Sequence, residues 1–258
     1  MENSQIGVFL ALYTARDRAP IDQALYLPQA WCDDKARTAE AGVPTDVTFA
    51  TKPQLAMTML KRAFEAGLRP SFVLADSVYG SDSKFRRFLK ARGQPFVVAV
   101  TSQQRFWVCF EQRRVDAIAA DLPERSWFRM SVGEGTRGPR VYDWASVKFG
   151  FPTDSGMERH LLVRCHIDTG EVAYFLCAAL AGTQARDLTV AAGHRWAIEC
   201  CFESAKQETG LDEYEVRSWA GWHRHVTLSL LAMMFLTAVR LTATEPKPRR
   251  SKRSAVIA

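Results

Sequence analysis

The sequence lacks several short motifs that mark common enzyme classes. It contains no G-x-S-x-G nucleophile elbow and no G-x4-G-K-[S/T] phosphate-binding loop. Its six cysteines include no C-x-x-C pair, so zinc-ligand spacing is also absent. These absences give no support to nucleophilic serine or cysteine chemistry, to a P-loop nucleotide hydrolase or to a zinc site.

Long hydrophobic runs are scarce as well. The longest, VTLSLLAMMFLTAV at residues 226–239, is shorter than the roughly 18 residues that a membrane-spanning helix needs, and we interpret it as a buried core helix. The N-terminus MENSQIG has no basic region followed by an apolar stretch, so it does not resemble a signal peptide. The cysteines are scattered among apolar neighbours, which is typical of reduced thiols. These features predict a cytoplasmic protein without a membrane partner.

The chain does have an ordinary core composition and a surplus of positive charge. Hydrophobic residues make up 47% of its 258 residues and charged residues 24%, as in soluble globular proteins. The net charge is +6 and the isoelectric point is about 9.1. This balance fits a polyanionic partner such as nucleic acid, although many basic proteins bind none.

The order of predicted elements indicates a mixed α/β fold. Residues 1–100 alternate as strand, strand, helix, strand, helix, strand, and the first two strands are predicted to pair as a hairpin. Residues 101–182 hold strand-like pieces between glycine and proline turns, which indicates a β-rich insertion. Helical periodicity returns over residues 183–242, and the basic, proline-rich tail of residues 243–258 is predicted to be disordered.

The stretch VLADSVYG, residues 73–80, places a carboxylate directly after a buried strand. Side chains at the carboxyl ends of strands line the ligand crevice of α/β sheets, so Asp76 is a candidate metal ligand or general base. Gly80 would permit a tight turn before the next helix. The alternative is that Asp76 only caps a turn, together with Ser77.

The stretch RWAIECCFESAK, residues 195–206, has the periodicity of an amphipathic helix. Its charged arc holds Arg195, Glu199, Glu203 and Lys206, and its apolar arc holds Ile198, Cys201, Phe202 and Ala205. Taken alone, this pattern predicts a surface helix. Together with Asp76, Glu199 would supply a second hard oxygen ligand of the kind that Mg²⁺ or Mn²⁺ prefers. Arg195 and Lys206 would suit a nearby phosphate backbone.

These stretches resemble the DDE-superfamily transposases of bacterial insertion sequences. The similarity is to the branch with an Arg-x3-Glu-x6-Lys signature around its last acid, and Arg195, Glu199 and Lys206 stand in register with it. A Tyr usually stands three residues before that Arg, whereas this chain has Ala192. Further similar stretches are ALYLPQAW, AGVP, FATKPQLA, ADSVYG, YDWA and GLDEYEVRSWAGWHRH, so the resemblance extends over residues 3–242.

The resemblance implies a ribonuclease-H-like fold, with a mixed sheet, flanking helices and a β-rich insertion before the last acidic helix. It also implies cleavage of double-stranded DNA at transposon ends and joining of the 3′-hydroxyl to target DNA, with Mg²⁺ or Mn²⁺ as cofactor. Asp76 matches the second catalytic acid and Glu199 the third, both as metal ligands, and Arg195 and Lys206 match DNA-contacting cations. A nucleoid-associated location and, as one arrangement, a homodimer on DNA follow from the same resemblance.

One departure from the family concerns its first catalytic acid. That Asp lies on the first, central strand, upstream of the segment that resembles MENSQIGVFLALY, and no Asp occurs here before Asp17. Asp17 lies in a predicted turn and Asp22 begins the second predicted strand, so neither matches the first acid. We therefore expect an N-terminally truncated transposase without its first central strand, with uncovered strand edges and with feeble or no strand transfer.

A second cationic cluster lies in GLDEYEVRSWAGWHRHVTL, residues 210–228. We expect Trp219 and Trp222 to anchor the core and Arg217 and Arg224 to contact DNA. Three hypotheses stay open at this point: a DDE transposase with impaired catalysis, a non-catalytic DNA-binding regulator derived from one, and a ribonuclease-H-like nuclease outside transposition.

Overall fold

The computed structural model describes residues 5–108, 111–135, 138–149, 156–215, 217–243 and 254–257. The chain divides into two compact units, one formed by Met1–Arg69 with Trp196–Ala258 and the other by Pro70–Arg195. We call them the split unit and the central unit. The boundaries at residues 100, 182 and 242 stay predictions based on the sequence pattern.

Strands and helices alternate along the first third of the chain, and strands dominate the middle. The strands are β1 (Ile6–Tyr13), β2 (Arg18–Tyr26), β3 (Phe72–Ala75), β4 (Phe96–Val100), β5 (Arg105–Val108), β6 (Glu111–Arg114), β7 (Trp127–Gly135), β8 (Gly138–Phe149), β9 (Met157–His166), β10 (Val172–Leu180) and β11 (Ser254–Ile257). The helices are α1 (Gln29–Asp33), α2 (Lys35–Glu40), α3 (Lys52–Glu65), α4 (Ser77–Gly80), α5 (Ser83–Lys90), α6 (Val115–Ala120), α7 (Ala185–His194), α8 (Trp196–Thr209) and α9 (Trp219–Ala243). A short 3₁₀ turn covers Glu124–Ser126.

The split unit contains an antiparallel sheet with β1 between β2 and β11. β1 and β2 pair from Ile6 opposite Tyr26 to Tyr13 opposite Arg18, which confirms the predicted hairpin. Helix α3 packs on both strands. It begins with a capping box, in which the Gln54 backbone N–H donates to the Thr51 hydroxyl and the Thr51 backbone N–H donates to the Gln54 side chain.

The end of the tail is a strand, so the prediction of disorder is wrong for residues 254–257. β11 pairs antiparallel with β1 from Leu10 opposite Ile257 to Tyr13 opposite Ser254. Its four residues are at most 1% exposed. The physical reason is that this short apolar segment satisfies the backbone groups on the side of β1 that faces away from β2. The expected uncovered edge is therefore covered along this part of β1. The basic stretch of residues 244–253 lies outside the described residues.

The core of the split unit forms where α8 and α9 pack on the hairpin. Phe9, Trp222, Val226 and Leu230 are buried together, and Phe202 packs against this group. The rings of Phe9 and Phe202 meet edge to face, with centroids 5.0 Å apart. The prediction that Trp222 anchors the core is confirmed.

Helix α9 is buried along one face only, so its interpretation as a buried core helix is wrong for the outer face. Trp222, Val226 and Met233 face inward, whereas Leu231 is 59% exposed and Phe235 is 66% exposed. The sequence is apolar all round this helix, and the split unit covers only one side. The helix is also long and apolar enough to cross a membrane, with a mean hydropathy of 1.8 over a stretch that is 28% buried.

The central unit is built on a six-stranded mixed sheet in the order β3–β4–β10–β9–β8–β7. β3 and β4 are parallel, and the other neighbours are antiparallel. Helices α4 and α7 pack on the sheet. Fully buried residues include Phe85, Trp144 and Leu161. A separate two-stranded ribbon consists of β5 and β6.

The mixed α/β class predicted from the sequence is confirmed, with a large mixed sheet and flanking helices, consistent with a ribonuclease-H-like fold.

The middle of the chain contains a G-x-G-x-x-G string at residues 133–138. β7 ends at Gly135 and β8 begins at Gly138, so the string joins two strands. A dinucleotide site requires it to join a strand to a helix, so the string has no such role here.

Candidate active site

Asp76 stands where the buried strand β3 ends and α4 begins. All four residues of β3 are buried, and the Asp76 side chain accepts a hydrogen bond from the Val78 backbone N–H at 2.7 Å. Asp76 is thus the N-cap of α4, and it also lies at the carboxyl end of one strand of a parallel pair. The interpretation as a cap is confirmed. Asp76 also occupies the position where α/β sheets bind ligands, and its role as a metal ligand or general base stays a prediction.

The role predicted for Gly80 is wrong. Gly80 is the last residue of α4 and does not adopt a positive φ, so no tight turn depends on it. Instead, a Cβ at this position would lie 1.8 Å from the Ala99 backbone oxygen. Gly80 is needed because α4 approaches β4 too closely for a side chain, and this contact holds the helix that Asp76 caps.

Tyr79 is the buried neighbour of Asp76 in the same short helix. Its side chain is 2% exposed and contacts the ring of Phe85 with centroids 6.0 Å apart. Burial, and secondarily the negative charge of Asp76, raises the pKa of the Tyr79 phenol far above its usual range. Tyr79 is therefore a neutral, structural group that anchors the loop carrying Asp76.

Glu199 lies in the first turn of α8, in the split unit. The predicted apolar arc of this helix is confirmed, since Ile198, Cys201 and Ala205 are buried. Glu199 is half-buried beside that arc, where the positive end of the helix dipole favours a carboxylate. Glu203 lies one turn further on and is exposed, as expected of a residue without a site role.

Lys206 shares α8 with Glu199 and lies about two turns further along it. Its side chain is exposed, and its Nζ is 4.0 Å from a carboxylate oxygen of Asp212. An exposed pair at this distance contributes little to stability. The ammonium group is therefore accessible to an anion from solution.

Arg195 is the C-cap of α7 and the last residue of the central unit, so the unit boundary falls inside the RWAIECCFESAK stretch. It lies near two arginines that sequence reasoning missed, Arg140 and Arg164. Burial lowers the pKa of Arg164, and the charges of Arg195 and Arg140 lower it further. The Arg164 guanidinium stacks over Tyr142 at 4.6 Å. Tyr142 belongs to the YDWA stretch, the only signal in the sequence that could have drawn attention to this cluster.

The second cationic cluster divides into core and surface residues. Arg217 and Arg224 are exposed in the split unit, whereas Trp219 is half-buried. The two nearby histidines serve local structure, because His223 contacts the Trp219 carbonyl oxygen and His225 the Gly210 carbonyl oxygen, each at 3.0 Å. The exposed arginines remain candidates for DNA contact.

Comparison with protein families agrees with the geometry around Asp76. Residues 1–121 match a family model described as DDE superfamily endonuclease. This match over residues 1–121 supports a DDE-superfamily, transposase-like protein. The match includes Asp76 and ends before Glu199, and it supports nuclease or transposase-type activity on DNA. A comparison with curated proteins finds no significant match.

Enzymes of the DDE superfamily generally use divalent metals, so it matters whether the residues of this protein could bind one. Carboxylate oxygens such as those of Asp76 and Glu199 suit Mg²⁺ or Mn²⁺. However, no group of three or more His, Cys, Asp or Glu side chains that could hold a metal occurs in the described part of the chain. One oxygen of Asp76 is also engaged by Val78. The described residues thus do not assemble a complete metal site.

Two of the described cysteines, Cys177 and Cys201, are buried in an environment that does not favour the thiolate. The five described cysteines are free thiols, as predicted, and Cys109 lies outside the described residues. Burial raises the pKa of Cys201 to about 12 and that of Cys177 still further. Protonated, buried thiols are poor nucleophiles, so these two act as core residues.

Proposed function

We propose that this protein is a DNA transposase of an insertion sequence, which cleaves DNA and transfers strands with divalent metal ions. The observation that carries the proposal is the position of Asp76, whose carboxylate follows β3 within the segment that matches DDE superfamily endonucleases. The Val78 N–H fixes one of its oxygens at the carboxyl end of the sheet. Such a fixed carboxylate is suited to hold a hard cation or a water molecule.

The proposal assigns a role to each residue of the signature. Asp76 and Glu199 supply two carboxylates for Mg²⁺ or Mn²⁺. Arg195, Lys206, Arg217 and Arg224 bind phosphates of transposon ends and target DNA, with which the exposed position of the last three is compatible. A homodimer on double-stranded DNA is part of the same proposal.

Catalysis by this chain is proposed to be feeble. A two-metal site with two carboxylates carries excess positive charge and has too few ligands. The described residues bring no third His, Cys, Asp or Glu to complete one. Binding of DNA, which depends on exposed cations, is expected to be much less affected than strand cleavage.

The test is a nuclease assay on labelled duplex DNA with Mn²⁺, comparing wild type with Asp76→Asn, Glu199→Gln and Glu203→Gln. Glu203 is the matched control because it lies on α8 with Glu199 and is exposed. We expect weak cleavage by wild type and by the Glu203 variant, and at least a tenfold loss in the other two. Equal cleavage by all four proteins would refute the assignment of the site.

The absence of a three-ligand group among the described residues also favours a second function, a non-catalytic DNA-binding regulator. In that case no protein cleaves DNA, whereas gel-shift binding by wild type equals that of the two acid variants. A ribonuclease-H-like nuclease outside transposition would instead cleave DNA without joining the product strands to a target, so strand transfer to a second duplex is measured as well.

A further inference from the structure

The central unit contains a cavity of about 200 Å³ that is lined mainly by basic and aromatic side chains. It lies beside α5, with walls from β4, β5, β9 and β10. The cations that line it are Arg86, Lys90, Arg105 and Arg159. Among the described residues of its lining, none is Asp or Glu. Four positive charges around one cavity without a negative charge form an electrostatically unfavourable cluster unless an anion joins them.

The cations come from three separate elements, so their convergence is a property of the fold. Arg86 and Lys90 are one turn apart on α5, and Phe85 and Leu89 anchor this helix in the core. Arg105 is the exposed first residue of β5. Arg159 comes from β9, two residues after the fully buried Met157.

The charge state of Lys90 reflects this crowding. Burial lowers the pKa of Lys90, and the positive charges of Arg159 and Arg86 lower it further. Burial likewise lowers the pKa of Arg86, and the negative charge of Asp82 partly offsets this. The Arg86 guanidinium donates to the Gly80 carbonyl oxygen. The Nε of Arg159 is buried and has no hydrogen-bond partner among the described residues. A buried N–H group without a hydrogen-bond partner is energetically costly, and a bound ligand that accepts a hydrogen bond would remove this cost.

The nearest carboxylate on β9 does not neutralise the cluster. Glu158 forms an ion pair with Lys148 on β8, and this bond is the largest cause of its lowered pKa. His160 lies 3.7 Å from Glu158, and burial lowers its pKa. Neither residue therefore removes the excess positive charge next to Lys90.

We propose that this cavity, the cationic pocket, binds a phosphate group. Guanidinium forks match the oxygens of phosphate, and a partly desolvated ammonium group adds a strong charge-assisted hydrogen bond. The pocket is also separate from Asp76. Asp76 is not among the residues that line it, although Arg86 contacts the last residue of the helix that Asp76 caps. Phosphate binding in the pocket therefore does not depend on the proposed cleavage function.

The phosphate has two possible sources, a DNA backbone or a free phosphate. Both are tested with a matched pair of lysine variants on α5, Lys90→Ala and Lys84→Ala. Lys84 is exposed on the same helix and does not line the pocket. Calorimetry with inorganic phosphate and pyrophosphate measures free-phosphate binding, and fluorescence anisotropy with labelled duplex DNA at several salt concentrations measures backbone binding.

We expect the Lys84 variant to bind like wild type and the Lys90 variant to bind at least tenfold more weakly. If DNA is the source, the affinity of the Lys90 variant for DNA depends less steeply on salt concentration. The slope of log affinity against log salt concentration decreases by the amount expected for about one lost phosphate contact. If free phosphate is the source, only the calorimetric titrations change. Equal binding of every ligand by both variants would overturn the proposal.

Thermal unfolding separates loss of the site from loss of the fold. In phosphate-free buffer, Lys90→Met should be as stable as wild type or more stable, because one repelling charge is removed. Added phosphate should raise the melting temperature of wild type and not that of the variant. An equal rise in both proteins counts against the pocket.

Discussion

The Val78 backbone N–H donates to the Asp76 carboxylate at 2.7 Å, and this one contact gives the residue two roles. It stabilises the start of α4 and fixes the carboxylate at the end of β3. The two roles can be separated, because the side chain of Asn caps helices as well as that of Asp does but carries no charge.

Asp76→Asn should leave the free energy of unfolding within about 0.5 kcal/mol of wild type, whereas Asp76→Ala should lower it by about 1 kcal/mol. Both variants should lose Mn²⁺-dependent cleavage of duplex DNA. Urea denaturation and the nuclease assay measure the two effects. Equal stability of the Asn and Ala variants would show that the cap contributes nothing. Full cleavage by either would show that Asp76 is only a cap.

Gly80→Ala should be strongly destabilising for a purely steric reason. The added Cβ would lie 1.8 Å from the Ala99 oxygen, so α4 has to move away from β4. We expect a loss of roughly 1–3 kcal/mol in the free energy of unfolding, together with weaker DNA cleavage because Asp76 moves with the helix. Val78→Ala on the same helix is the control, since Val78 is 49% exposed. If both substitutions cost the same, the close approach does not determine the position of α4.

The parts of this fold that follow from local sequence were predictable. Thr51 and Gln54 stand at capping-box spacing, and the apolar run before Asp76 predicts a buried strand that ends at a candidate site. The apolar arc of α8, with Ile198 and Cys201, follows from periodicity alone. In each case the decisive neighbours lie within one turn or one strand.

What could not be predicted depends on residues that are far apart in the chain. β11 contains only four residues, and its pairing with Leu10 and Ala11 spans almost the whole sequence. The cationic pocket combines Lys90 with Arg105 and Arg159, which periodicity cannot connect. The close approach of Gly80 to Ala99 likewise depends on how a helix lies on a sheet.

The tail strand should be essential for the stability of the split unit. Val256 is fully buried opposite Ala11, so Val256→Asp places an unpaired charge in the interior. We expect a loss of at least about 3 kcal/mol in the free energy of unfolding, and aggregation as the edge of β1 is exposed. Chemical denaturation and light scattering measure these effects.

The same substitution at Val239 is the control for the tail strand, because Val239 is 48% exposed on α9. Val239→Asp should change the free energy of unfolding by less than about 1 kcal/mol. If the Val256 variant is as stable as the Val239 variant, β11 does not contribute to the fold in solution.

Stability should fall in two steps as the pH decreases, because His160 and Glu158 both have lowered pKa values in the folded protein. Burial lowers the pKa of His160, so its contribution is complete above the ordinary value of about 6.5 and is lost below it. The Lys148 ion pair lowers the pKa of Glu158, so its contribution is lost only as the pH falls below about 4.3. Urea midpoints in phosphate-free buffers from pH 8 to pH 3.5 should show that His160→Gln removes the first step. Glu158→Gln should reduce the second, to which the lowered pKa values of Asp116 and Asp143 also contribute. Each variant is the control for the other, and a His160 variant with an unchanged first step would contradict the assignment.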